Sequence, residues 1–199
     1  MTLSEPMTLA TDYLLGGVTA WLCFVLFKHR QAQRARLWWG VAFAALALGA
    51  LLGGTWHGFV QSEPLWVATL VVVGVASCAM VVGSVLATLR GAVRNVALWL
   101  AGGKLLSYLA SLWERTDFIV VIIDTGIAFA VVAALHLWRF NGWIVAGVAV
   151  SVAAALVQAS GFAVHRHFNH NDLYHVIQIA AMVLFYRGAR RLTDALDAP

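Results

Sequence analysis

The chain has 199 residues, of which 62% are apolar and only 11% charged, with a mean hydropathy of +0.83 and a formal charge of +4. Soluble domains run near half apolar and a quarter charged, so an ordinary water-soluble domain is excluded and a single-domain integral membrane protein is expected. Nucleic-acid binding is excluded too, because topology accounts for the placing of the basic residues, as the chain order makes plain.

The N-terminal MTLSEPMTLATDYLL lacks the basic opening of a secretory signal, and its apolar run ends on a basic cluster rather than a cleavage site. It therefore reads as a retained first span. Seven apolar runs follow one another at about 9–27, 37–60, 65–89, 96–113, 117–138, 142–164 and 172–188, each long enough for a helix to cross the hydrocarbon. Runs rich in Ala, Leu and Val favour helices over a closed barrel. The expectation is an all-α, seven-transmembrane bundle over residues 1–199. Pro64 stands where the third helix should begin, a position at which its missing N–H costs nothing. Cys23 and Cys78 lie inside apolar runs and read as small buried side chains. Gly49, Gly53 and Gly54 on the second helix read as sites of close helix packing.

The connections alternate in charge. KHRQAQRAR (28–36), RGAVR (90–94), the segment around Arg139 and RGARR (187–191) together hold ten Lys/Arg. The opposite connections hold only Arg115 and Arg166, and two of them, QSEP and ERTD, carry acids. The positive-inside rule then puts the N-terminus outside and the C-terminus in the cytoplasm. Compact loops and the missing signal fit a bacterial inner membrane, with the outer end of the bundle facing the periplasm.

Polar groups within spans are costly and need a reason. In chain order they are Thr55 and His57 near the outer end of the second helix, then Lys104, Ser107 and Tyr108 on the fourth. Asp124 and Thr125 follow on the fifth, and Gln158 and Ser160 on the sixth. FNHNDLYHVIQ (168–178) opens the seventh. Five helices thus bring polar groups to the outer half, which predicts one polar cavity open to that side. His136, near the cytoplasmic end of the fifth helix, is expected to snorkel, and His165 and His167 to lie in a loop. Asn171, His175 and Gln178 share a stripe at i, i+4, i+7, with Asp172 bordering it and His170 in the entry turn. Imidazole is a common metal ligand, and a neighbouring carboxylate or amide fixes its tautomer. His57, His175 and either His170 or Asp172 give three protein ligands, the donor count of a catalytic zinc site with one open position. Lys104 and Asp124 read either as an ion pair or as groups facing the cavity.

Seven helices, a His near the end of helix 2 and a His cluster opening helix 7 resemble the CREST superfamily. These are seven-helix membrane hydrolases with an intramembrane zinc, among them the alkaline ceramidases and adiponectin-receptor-like proteins. The resemblance covers the chain in topology and two short motifs in detail. His57 takes the place of the helix 2 ligand and His175 that of the second His on helix 7. Gly53 stands where the family has Ser, Asn171 where it has the first His, and the third span lacks the usual Asp. The resemblance implies a Zn2+-dependent hydrolase of a lipid amide or ester, with an outside N-terminus as in the ceramidase branch. In that reading His57, His170 and His175 hold the metal, with Asp172 as either the fourth ligand or the general base. Thr55, Lys104 or Tyr108 would stabilise an oxyanion, and Ser107, Asp124, Gln158, Asn171 and Gln178 would line the cavity. Two other readings of the paired histidines are axial ligation of a haem and a non-enzymatic carrier or receptor.

Overall fold

The computed structural model describes residues 4–195, which form seven α-helices. They are α1 (Pro6–Lys28), α2 (Arg34–Gly58), α3 (Glu63–Thr88), α4 (Gly91–Glu114), α5 (Phe118–Trp138), α6 (Gly142–Ser160) and α7 (His170–Ala189). Pro6 and Pro64 sit in the first turns of α1 and α3, where no helical partner for their missing N–H is needed. The run predicted to continue to residue 164 stops at Ser160. Gly161 turns left-handed there (φ +68°) and returns its N–H to Gln158 O, a helix stop that glycine makes without steric cost.

Among the described residues, α1 to α6 are each long and apolar enough to cross a membrane. The 20-residue α7 is the exception, since its first turns carry His170, Asn171, Asp172 and His175 and its last carries Arg187. Large apolar side chains lie outward on the bundle, among them Trp21, Trp99, Leu106, Ile123 and Leu156. Such a surface belongs against lipid or a partner rather than water.

Neighbouring contacts close a ring in the order α1, α2, α3, α5, α6, α7 and back to α1. The fourth helix stands outside it, packed on α3 with a lighter contact to α5. Glycines allow these close approaches. A Cβ on Gly74 would fall 2.2 Å from the Tyr108 ring of α4, and one on Gly147 would fall 2.5 Å from Phe185 of α7. In the basic half of the ring Trp39, Phe43 and Phe185 fill the centre, with the Trp39 and Phe185 rings 5.4 Å apart.

His136 belongs to this core and does not snorkel. It is 1% exposed, with Nε2 3.0 Å from Ser84 Oγ and its ring beside Trp39. The reason is the register of α5. Its buried residues Val121, Asp124, Ala128, Val132 and His136 recur every three or four positions, so one stripe runs the helix length and carries His136 inward.

The segment after α7 ties the ring together at its basic end. Asp194 accepts the backbone N–H groups of Arg34 (2.9 Å) and Ala35 (2.7 Å), while its own N–H donates to Gln33 Oε1. Arg36 Nε donates to Leu192 O and the Ala195 N–H to Leu86 O. The first turn of α2 has no cap from Gln33, its own N-cap residue, so a carboxylate from the far end of the chain supplies one. Asp194→Ala is expected to cost about 1–2 kcal/mol, as the loss of an N-cap does. Thermal unfolding in detergent checks this, with Asp194→Asn retaining most of the stability.

Candidate functional site

Three helices converge at the end of the bundle opposite the basic cluster. On α1, Thr8, Thr11 and Asp12 follow i, i+3, i+4 and all are buried. Facing them, α7 presents Asp172 and His175, buried as well. Thr8 Oγ1 donates to Asp172 Oδ1 at 2.9 Å. Thr11 Oγ1 lies 3.1 Å from His175 Nδ1, and Asp12 Oδ1 lies 3.1 Å from His175 Nε2. Both nitrogens of the His175 ring are therefore held from α1. His57 arrives from α2 with Nδ1 3.1 Å from Glu5 Oε2, a contact at ion-pair distance but without hydrogen-bond alignment.

Local sequence explains why these groups meet. Asn169 caps α7 by accepting the N–H groups of Asn171 and Asp172, and Asp172 Oδ2 accepts the Asn169 N–H in return. This capping box fixes the first turn of α7 and places His175 one turn further in. On the neighbouring helix, Gly54 lets α1 approach α2 closely. A Cβ on Gly54 would lie 2.8 Å from the Cβ of Asp12, closer than any relaxed side-chain contact.

Among the described residues at this end, Asp12 Oδ2, His57 Nδ1 and Gln178 Oε1 are buried without a hydrogen-bond partner. A buried polar atom left unpaired is costly. Among the described residues, no three His, Cys, Asp or Glu side chains are gathered as a metal-binding set. His57 with Glu5 and His175 with Asp12 form two pairs instead.

The other residues singled out in the sequence fall elsewhere. Lys104 Nζ lies 2.5 Å from Asp124 Oδ1 and 3.0 Å from Ser77 Oγ, and Ser77 also donates to Asp124 Oδ2. These three make a second cluster between α3, α4 and α5. The described hydrogen bonds and ion pairs do not join it to the first. Because α4 stands outside the ring, its polar groups meet α3 and α5 rather than α1 and α7. Tyr108 donates to Leu70 O and packs on Gly74, while Ser107 is exposed. Thr55 pairs with Tyr13 of α1 at 3.0 Å and with Leu51 O. Gln158 donates to Asn171 Oδ1, and Gln178 to Tyr174 Oη. His170 occupies the first position of α7, half-buried. Both Asp172 oxygens are engaged, one by Thr8 and one by the Asn169 N–H, so this carboxylate positions α7 against α1.

Sequence reading missed Asp12, Thr8, Thr11, Glu5 and Ser77. A signal for the first three was present in TLATDYLL, a carboxylate inside an apolar run with threonines one and four residues before it.

Among the described residues the chain is a seven-helix bundle in which the α1–α7 polar cluster, at the end opposite the basic loops, is separate from the Lys104–Asp124–Ser77 cluster. Over residues 7–194 it matches DUF6962, described as a family of unknown function, and it belongs to that family. No curated protein and no solved structure matches it.

Proposed function

We propose that the α1–α2–α7 end of the bundle is the centre of an intramembrane, metal-dependent hydrolase that cleaves an amide or ester bond of a lipid. The observation carrying this reading is the buried Asp12 Oδ2, which has no hydrogen-bond partner, beside the Asp12–His175 contact. The donors suit the ion. Two imidazoles and a carboxylate are zinc ligands, and two ligands of a tetrahedral zinc stand about 3.3 Å apart. The 3.1 Å separation of His175 Nε2 from Asp12 Oδ1 is close to that spacing. Asp12, His57 and His175 would hold the cation, with Glu5 beside His57. Asp12 on α1 thereby takes over a place that the sequence pattern gave to His170 or Asp172.

When bound, the cation supplies a water of lowered pKa and a polarised carbonyl. The chain's own groups do the rest. Thr11 at Nδ1 fixes the orientation of the His175 ring, and the Thr8–Asp172 bond holds α1 in register with α7. The free Oδ2 of Asp12 is the atom able to accept a proton from an attacking water. A substrate with its acyl chains in lipid needs to bring in only its polar linkage. In this reading the chain is a multi-pass membrane protein with its N-terminus outside and the site toward the periplasmic face. The ten basic residues at the opposite end support that orientation.

Elemental analysis of untagged protein purified without chelator tests the reading. About one zinc per chain is expected in the parent, falling close to zero in a His57→Ala, His175→Ala variant. Zinc at the parent level in that variant, or none in the parent, sinks the proposal.

A further inference from the structure

At the basic end of the bundle an open pocket of about 550 Å³ lies where the turn between α5 and α6 meets the end of α7. Arg139, Phe140, Asn141, Trp143 and Arg191 contribute to its walls. The Arg187 and Arg191 guanidiniums stand 5.0 and 5.6 Å from the centre of the Trp143 ring, stacked on it as cations on a π face. Among the described residues, none of Arg139, Arg187 and Arg191 has a carboxylate partner. Arg139 is turned by a bond from Nη2 to Thr88 O at 2.9 Å. The first turn of α6 opens into the same pocket uncapped, because the Asn141 side chain donates its amide to Gly188 O instead. Guanidiniums without a carboxylate and a helix start without a side-chain cap converge here, and both favour an anion with several acceptor oxygens.

The surroundings say where that anion comes from. Trp138 is 63% exposed and Phe140 94% exposed, and both lie beside the pocket at the ends of the spans. Aromatic side chains in such a ring mark the headgroup level of a bilayer. Topology alone calls for positive residues at this end but not for a pocket, a stacked pair of guanidiniums or an uncapped helix start.

We propose that this pocket binds the phosphodiester headgroup of an anionic phospholipid, clamped by Arg139 and Arg191 with Trp143 as its floor. The phosphate accepts from the guanidiniums and the α6 first turn, while the acyl chains run down the apolar outer faces of α5 and α6. The site is independent of the chemistry proposed at the other end, and its test does not depend on zinc or hydrolysis.

The test uses protein delipidated in neutral detergent and mixed with equimolar phosphatidylglycerol and phosphatidylcholine, read by native mass spectrometry. Phosphatidylglycerol is expected to stay bound and to raise the thermal midpoint, and phosphatidylcholine to dissociate. Arg139→Gln with Arg191→Gln should weaken phosphatidylglycerol retention about tenfold or more. The single Arg191→Gln variant, which disturbs no backbone bond, should show part of that loss with an unchanged midpoint in lipid-free detergent. Equal retention of the two lipids, or parent-level retention in Arg191→Gln, overturns the proposal. Millimolar inorganic phosphate that displaces the lipid effect entirely and reproduces the stabilisation would assign the pocket to a free anion and overturn the lipid as its occupant.

Discussion

Lys104→Met is expected to destabilise the bundle by about 3–5 kcal/mol, the cost of stranding one member of a buried ion pair. Asp124 is 6% exposed on its side chain and Lys104 only 16%, so neither charge can turn to water when its partner goes. Ser77 would remain as a neutral donor to Asp124, which softens the loss without removing it. Adding Asp124→Leu to the Lys104→Met background should recover most of the stability, because an apolar pair has no stranded charge. Unfolding by denaturant titration in mixed micelles measures the cycle. A Lys104→Met protein as stable as the parent would show that the 2.5 Å contact contributes nothing to holding α4 on the ring. Hydrolysis should be nearly unaffected in the double variant, since this cluster is separate from the α1–α7 site.

Asp12→Asn is expected to lower lipid amide or ester hydrolysis about 100-fold or more, the usual scale for a lost acid–base group, and to reduce bound zinc. The amide preserves the shape of the side chain, so packing against Gly54 and Tyr13 and the helix content should survive. Asp172→Asn gives the contrasting result. Its carboxylate accepts from Thr8 and from the Asn169 N–H, so its loss should lower the thermal midpoint more than Asp12→Asn does. Hydrolysis by the folded fraction should change less. Measuring kcat, zinc content and unfolding on the same preparations separates the two roles. Equal activity in Asp12→Asn and the parent would remove Asp12 from the reaction.

Local pattern already specified much of this architecture. Seven helices follow from runs of apolar residues interrupted by short charged breaks, because a helix that satisfies its own backbone needs no distant partner. His57 and His175 were read as partners because they lie near the same end of their spans, whereas the described contacts pair His57 with Glu5 and His175 with Asp12. Lys104 and Asp124 were legible as an ion pair on the same argument of matched depth, and the structure joins them. Depth, however, is only one coordinate. It cannot say which helices are neighbours, and residues at one level were read as lining one cavity.

The amino-acid sequence by itself determined the helices, their lengths and the sorting of acidic and basic loops to opposite ends, all properties of a segment and its immediate flanks. Only the tertiary structure decided that α4 stands outside the ring, which sends Lys104 and Tyr108 to α3 and α5 and leaves Ser107 exposed. It alone brought Asp12 against His175 across 163 residues of chain, put His136 in the core and capped α2 with Asp194. The physical reason is common to all of these. Azimuth around each helix axis, and the order of helices around the bundle, are set by side-chain fit between segments distant in sequence, such as Gly54 against Asp12 and Gly74 against Tyr108. That fit leaves no mark in any single run of residues.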